Sequence, residues 1–297
     1  MRHPSRIQGH SGYILISVLA VVALLSGLVA ALLLLGRAAA DTAHLTSRDL
    51  RQETLLQSAV ALAGYQLFIL KRPLDSIDGQ QLRLDAGVIT LRVSSDAGKV
   101  DLNGSGKDLL AAAYRASELT AMRPEVFASR VIDWREPGDT PQPGSADTAA
   151  DRPPGQRARN APFRALDDIA FVPGVAPDDI ARLRPFLTVF NPTGRLSALF
   201  APEPLMAAIP GIGKATSQEI VTLRGKKAAE TEQSIANLVL VAASQIDTKP
   251  PRTYRVVVER LLQGNRPEVG VTAVLSAGAD STSPYHVLAW DQDAFGK

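Results

Sequence analysis

The 297-residue chain contains no cysteine. That excludes disulfide staples, thiolate metal sites and cysteine nucleophiles together. Histidine is almost as scarce: His3, His10, His44 and His286 are scattered, and none has a partner at metal-binding spacing. An excess of one charge is missing too. The 32 Lys and Arg against 30 Asp and Glu leave a net charge of +2, too small for a dedicated polyanion binder. No Gly-x-Ser-x-Gly elbow occurs. Gly104-Ser105-Gly106-Lys107 and Gly211-Ile212-Gly213-Lys214 resemble fragments of a phosphate-binding loop. Both lack its earlier glycine, and the lysines are followed by Asp108 and Ala215 rather than Ser or Thr. These gaps argue against an enzyme.

What the chain does have is an apolar run, Tyr13 to Leu35, interrupted only by Ser17, Ser26 and Gly27. As a helix it is long enough to cross the roughly 30 Å hydrocarbon core of a bilayer. The leader before it carries Arg2 and Arg6, no acid, and ends Ser11-Gly12. This bias keeps the N-terminus cytoplasmic and exports the remainder. Three readings compete: a secretory signal peptide cut near Ala38-Ala39-Ala40, a plain signal anchor, and a prepilin-type leader cut between Gly12 and Tyr13. The following residues favour the third. They stay helix-compatible to Arg72, with Leu56, Val60, Ala63, Leu67 and Leu70 along one face, and Pro73 stops the pattern. The span and its amphipathic extension read as one helix of about 90 Å; two helices with a break near Gly36-Arg37 is the alternative.

More than 200 residues remain beyond the span, enough for two modest cores. Residues 80–84 and 88–93 alternate as strands around an Asp85-Ala86-Gly87 turn, and 99–103 supplies a short third. Residues 108–121 and 124–134 read as helices, the second with Pro at its first position. Residues 138–162 form a polar loop, and 165–243 are short helical pieces punctuated by Pro and Gly. Strand character returns at 254–262, 269–275 and 285–290. The fold class is α+β: a pilin-like core, with a long N-terminal helix packed on a small antiparallel sheet, carrying a large inserted α-helical domain. The boundaries are a leader at 1–12, the membrane part of the helix at 13–36, core at 37–104, insertion at 105–248 and C-terminal strands at 249–297.

The insertion contains a near repeat. Leu166 to Val175, ending Val172-Pro173-Gly174-Val175, is echoed by Glu203 to Gly213, which contains Ile209-Pro210-Gly211-Ile212. Each is followed by another helical stretch, giving a helix-hairpin-helix-like pattern. Its glycine takes positive φ and the next apolar residue plugs the core. DNA-binding hairpins of this kind offer backbone N–H groups to a phosphate, with Lys214, Arg224, Lys226 and Lys227 as candidate supporting cations. The first hairpin presents Asp178 and Asp179 instead, so nucleic acid is disfavoured and a packing role preferred. An acidic stretch, Asp133-Trp134-Arg135-Glu136-Pro137-Gly138-Asp139, with Asp147 beyond it, supplies carboxylates suited to Ca²⁺, although it contains no EF-hand loop.

Taken in order, several pieces resemble the minor pseudopilin K family of type II secretion systems. They are the Ser11-Gly12-Tyr13 junction, Gly98-Lys-Val-Asp-Leu-Asn103, Val131-Ile-Asp-Trp-Arg-Glu-Pro-Gly-Asp139, Asn160-Ala-Pro-Phe163, both hairpins, Leu183 to Val189, and Pro284-Tyr-His-Val-Leu-Ala-Trp290. The resemblance implies a non-enzymatic subunit of the bacterial inner membrane, single-pass, with its body in the periplasm. It implies a place at the tip of a short pseudopilus, capping or initiating it, with other minor pseudopilins and the major pseudopilin as partners. It further implies the inner-membrane secretion platform as a partner, and a prepilin peptidase that cuts after Gly12 and methylates Tyr13. Ser17 stands where propagating subunits carry a glutamate, and the family characteristically lacks that carboxylate. The resemblance also raises calcium at Asp133, Glu136, Asp139 and Asp147. Here Gly144-Ser-Ala-Asp147 departs from the tighter family pattern, as does Leu196-Ser-Ala-Leu-Phe-Ala201. The alternative function is a membrane-tethered DNA receptor of the competence type.

Overall fold

A computed structural model describes residues 11–84, 87–136, 161–226, 229–261, 267–278 and 283–291. The chain divides into two units, Met1–Ser58 and Ala59–Lys297. In the first, α1 (Ser11–Gly64, reaching into the second unit) runs through Gly36-Arg37 without a break. Leu15–Leu35 is long and apolar enough to cross a membrane, and its side chains are exposed along its length. This fits a single-pass membrane anchor.

In the second unit, α1 gives way to a π-helical turn at Tyr65–Ile69. Lys71 then adopts φ 50° two residues before Pro73. The helix therefore ends slightly earlier than Arg72, because the left-handed backbone at Lys71 cannot continue a right-handed helix. Next come β1 (Gln81–Leu84) and β2 (Gly87–Ser95). A long excursion follows, after which β7 (Thr253–Leu261), β8 (Pro267–Ala277) and β9 (Tyr285–Asp291) complete one sheet. Its order is β1-β2-β7-β8-β9, antiparallel throughout. Early and late strands thus pair directly: Ile89 to Ser95 face Arg260 to Tyr254 in register.

Alternation sets the two faces of this sheet. Leu91, Val258 and Val271 stand opposite one another, as do Val93, Val256 and Ala273, and all six are buried. Tyr254 and Leu275 continue the row. Phe68, just past α1, covers this face, its ring edge-on to Tyr254 at 5.4 Å and stacked on Tyr285 at 5.6 Å. Gly64 permits that approach, since a Cβ there would fall 2.6 Å from the Tyr285 ring. The opposite face carries Arg92, Val257 and Thr272, then Ser94, Arg255 and Val274.

The excursion has its own core. It holds β3 (Val100–Asp101), α2 (Lys107–Ala116), α3 (Pro124–Arg135), α4 (Asp179–Leu183), β4 (Leu187–Thr188), β5 (Leu196–Ser197), α5 (Glu203–Ala207), α6 (Gly213–Arg224), α7 (Ala229–Leu238) and β6 (Ile246–Asp247). Leu109, Leu110, Tyr114, Phe127, Leu183 and Ile220 are among its buried members. Tyr114 and Phe127 lie 4.7 Å apart between ring centroids.

Three expectations from the sequence change. The short third strand is reduced to Val100-Asp101 and pairs in parallel with Leu187-Thr188, away from the main sheet. A second parallel pair joins Leu196-Ser197 to Ile246-Asp247 inside the stretch read as helical. α2 stops at Ala116, where the buried Ser117 hydroxyl donates to the Tyr114 carbonyl and Glu118 turns to φ 56°. Local competition of that kind ends helices that periodicity would extend.

Candidate assembly site

Two polar centres hold the excursion together and tie it to the sheet. The first is Asp101, almost wholly buried. Its Oδ1 accepts from the N–H groups of Asn103 and Gly104, each at 2.8 Å, and its Oδ2 accepts from the Asn191 N–H at 2.8 Å. Asn191 Nδ2 donates to the carbonyls of Lys99 (3.1 Å) and Arg195 (2.7 Å). Asn103 exchanges two bonds with the Phe163 backbone, at 2.7 and 3.0 Å. Arg135, at the end of α3, donates to the Leu102 carbonyl at 2.7 Å. Burial pushes the Asp101 carboxyl up from its ordinary value, opposed by the three N–H donors and by Arg135. Three separate chain segments, around Arg135, Phe163 and Asn191, therefore converge on the sequence Asp101-Leu102-Asn103. Gly98 begins this run pressed on the Phe200 backbone, where any Cβ would clash.

The second centre is Asp96, with 0 % of its surface exposed. Arg255 on β7 donates to both its oxygens, at 3.2 and 2.7 Å, and the Thr188 hydroxyl of β4 adds a bond at 2.8 Å. Asp96 follows β2 directly, so one carboxylate joins the sheet to the helical body. Neither Asp96 nor Arg255 stood out in the sequence. The only available signal was an acid immediately after a strand, which more often marks a solvated turn.

The two hairpins have the backbone expected of them. Gly174 and Gly211 sit at φ 81° and 85°, and Val175 and Ile212 are buried beside them. The elements before them are slight: a 3₁₀ turn at Leu166–Phe171 and the five-residue α5. The proposed DNA cations do not act as a group. Arg224 faces inward and donates to the carbonyls of Ala198 and Ala201, and burial lowers its pKa to about 10. Lys214 and Lys226 are exposed, while Lys227 lies outside the described residues.

Of the proposed calcium ligands, Asp133 lies half-buried on α3, and Glu136, just past it, has an oxygen 3.9 Å from Arg135. Asp139 and Asp147 fall outside the described residues, and among the described residues no group of three or more His, Asp or Glu gathers as a metal site. Gly12 and Tyr13 fall in the first turns of α1, with Ser17 on its exposed apolar stretch.

Surfaces fit for association lie on α1 and on the sheet edge. Among the described residues β9 pairs only with β8, and Val287, Leu288 and Trp290 on it are exposed. An apolar strand with one free edge is a ready docking surface.

Comparison with known proteins agrees with this architecture. Residues 97–192 match the family described as "Type II secretion system (T2SS), protein K", bearing out the resemblance over the segment that contains Asp101, Asn103 and Asn191. A solved structure with the same fold is described as the GspK-GspI-GspJ complex from the type 2 secretion system of enterotoxigenic Escherichia coli. The TM-score is 0.58 at 15% sequence identity, covering 84% of this chain and 99% of the other. No curated protein matches the chain.

Proposed function

We propose that this chain is a K-type minor pseudopilin, a non-enzymatic assembly subunit that caps or initiates a type II secretion pseudopilus at its tip. The observation that carries this reading is the family match at 97–192, which falls on the polar centre organising the inserted body. A pilin-like core split by a helical domain is consistent with it, since all strands of the main sheet come from residues 81–95 and 253–291. The solved relative was crystallised with GspI and GspJ, so proteins of those two kinds are the proposed partners, with the major pseudopilin below.

In this reading Tyr13–Leu35 anchors the chain in the inner membrane and the body stands in the periplasm. A prepilin peptidase cuts after Gly12 and methylates Tyr13. Ser17 removes a carboxylate that would be costly in lipid unless it met a neighbour's amine. A subunit lacking that group is suited to an end position. The bulk of the inserted domain argues the same way, because it would obstruct another subunit stacked above. Calcium is proposed for the 133–147 segment; calorimetric titration giving neither heat nor a thermal shift removes it. The DNA-receptor alternative is not favoured, because Arg224 is bound internally.

The test is purification of the tagged full chain from membranes of cells carrying the secretion system. Expected are a methylated Tyr13 as first residue, by mass spectrometry, and co-purification of other minor pseudopilins. A first residue near Asp41, with the apolar span gone, refutes the reading.

A further inference from the structure

Five asparagines occur in the chain, and only Asn103 is followed by glycine. In an unconstrained chain, glycine is the follower that most favours loss of an asparagine's side-chain amide. It has no Cβ to obstruct its own backbone nitrogen, and its conformational freedom lets that nitrogen reach the neighbouring amide carbon. The Gly104 nitrogen gives its proton to solvent base and bonds to the Asn103 side-chain carbonyl carbon. The bond to Nδ2 breaks, and Nδ2 takes up a proton and leaves as ammonia. Water then opens the five-membered imide at either carbonyl, leaving aspartate or isoaspartate at position 103.

The fold requires this labile pair and also holds it out of reaction. Asn103 Oδ1 accepts from the Phe163 N–H at 2.7 Å, and Nδ2 donates to the Phe163 carbonyl at 3.0 Å. A carboxylate cannot do both, because it has no donor. At position 104 a Cβ would stand 3.0 and 3.2 Å from the Gly194 backbone, which crowds out a side chain. Both reacting groups are fixed. Two bonds pin the amide carbon against Phe163, and the Gly104 N–H donates to Asp101 Oδ1 at 2.8 Å. A carboxylate at that distance also opposes the amide anion through which the nitrogen attacks. Water is not kept away, since Gly104 is exposed and Asn103 half-buried. Protection comes from bonding geometry rather than from burial.

We propose that Asn103-Gly104 is a deamidation site, silent in the folded body and opened by local unfolding, and that its use makes the unfolding one-way. The product lacks the Nδ2 donor and sets a carboxylate against the Phe163 carbonyl. Phe163 is thereby released from the run that Arg135 and Asn191 also meet. Isoaspartate further adds a carbon to the backbone of a closely bonded turn. There the Ser105 hydroxyl accepts from the Asp101 N–H at 3.0 Å and donates to the Gly194 carbonyl at 2.9 Å. The proposal goes beyond the assembly reading and does not depend on it.

The test incubates the full chain in detergent at mildly alkaline pH across a urea series, following position 103 by peptide mapping and mass spectrometry. Expected in unfolding urea is conversion at least about tenfold faster than without urea, because the reaction follows the open population. Gly104→Ala is expected to slow conversion severalfold in unfolding urea, where the packing against Gly194 no longer counts. After dilution from urea, molecules that keep Asn103 are expected to regain the body's melting transition, and converted molecules are not. Asn103→Asp, made directly, is expected to melt below the unaltered chain or to fail to fold, and either outcome agrees with the proposal. Conversion in urea short of the stated margin, or unslowed conversion in Gly104→Ala, overturns it. So does recovery of the transition by converted molecules, or an Asn103→Asp chain that melts with the unaltered one.

Discussion

Replacing Arg255 with alanine puts the connection between sheet and helical body under direct strain. Asp96 has no exposed surface, so removing its partner strands a carboxylate with the Thr188 hydroxyl as its remaining side-chain donor. Breaking one side of a buried ion pair costs about 3–5 kcal/mol. For a folded unit of this size, each kcal/mol moves the melting temperature by about 2–4 °C, so a fall of roughly 6–20 °C is expected. Asp96→Asn should cost less, about 1–3 kcal/mol, because Arg255 is partly exposed and its charge can turn to water. The double change Asp96→Leu with Arg255→Met should recover most of the loss, as apolar replacements of buried pairs commonly do. Differential scanning calorimetry of the full chain in detergent reads all four proteins. Arg255→Ala melting within about 2 °C of the unaltered chain, or a double variant no better than Arg255→Ala, would refute the assignment of Asp96 as a buried charge dependent on Arg255.

Other consequences are equally open to measurement. Gly98→Ala should destabilise by at least about 2 kcal/mol in denaturant titration, because the obstruction is Phe200 backbone, which cannot rotate away. Arg224→Ala should lower the melting point by several degrees by leaving the Ala198 and Ala201 carbonyls without their donor, whereas Lys226→Ala should leave it unchanged. Asp101→Asn should cost about 1–3 kcal/mol, since an amide cannot accept at both of the positions that face N–H groups. Its pH dependence has a definite sign. The folded Asp101 holds its proton to higher pH than the ordinary 3.8, so the unaltered chain loses stability as pH rises from 3.8 through the folded value. The asparagine variant lacks that slope. Its deficit, followed by urea titration across pH 3.5–7, should therefore narrow as pH rises and is contradicted if it widens.

How much of this was legible in the sequence depends on the range of the interaction. The anchor helix was readable because membrane length and a three- and four-residue stripe are local patterns, and the span read as Tyr13–Leu35 has its counterpart at Leu15–Leu35. The main strands were readable for the same reason, since two-residue alternation survives without knowledge of the partner. Their pairing across the excursion followed from position alone. What escaped were contacts between distant segments: Leu187-Thr188 on Val100-Asp101, and Leu196-Ser197 on Ile246-Asp247. Two-residue bridges have no period to detect. Arg224 was misjudged for a related reason: its placement on the hairpin's second helix suggested a surface cation, and only the fold reveals which side of α6 faces Ala198. The Asp101-Leu102-Asn103 run entered as family resemblance, and its physical content became visible only when Phe163 and Asn191 closed around it.

The position of the excursion explains why so large an insertion leaves the sheet undisturbed. The chain leaves β2 at Ser95 and returns through Thr253, and Ser95 is the register partner of Tyr254. The Ser95 hydroxyl donates to the Thr253 carbonyl at 3.4 Å, closing the gap at the point of departure. For the sheet, residues 96–252 are therefore a hairpin loop whose closure entropy grows only with the logarithm of its length. Growth of the loop into a folded body requires its own core, which α2, α3 and α6 supply, and a fixed attachment so that it does not swing on two peptide strands. Asp96 stands one residue beyond the exit and binds Arg255, two residues beyond the return. The attachment is thus built at the neck of the loop, where a single buried carboxylate restrains both strands and, through Thr188, the body they carry.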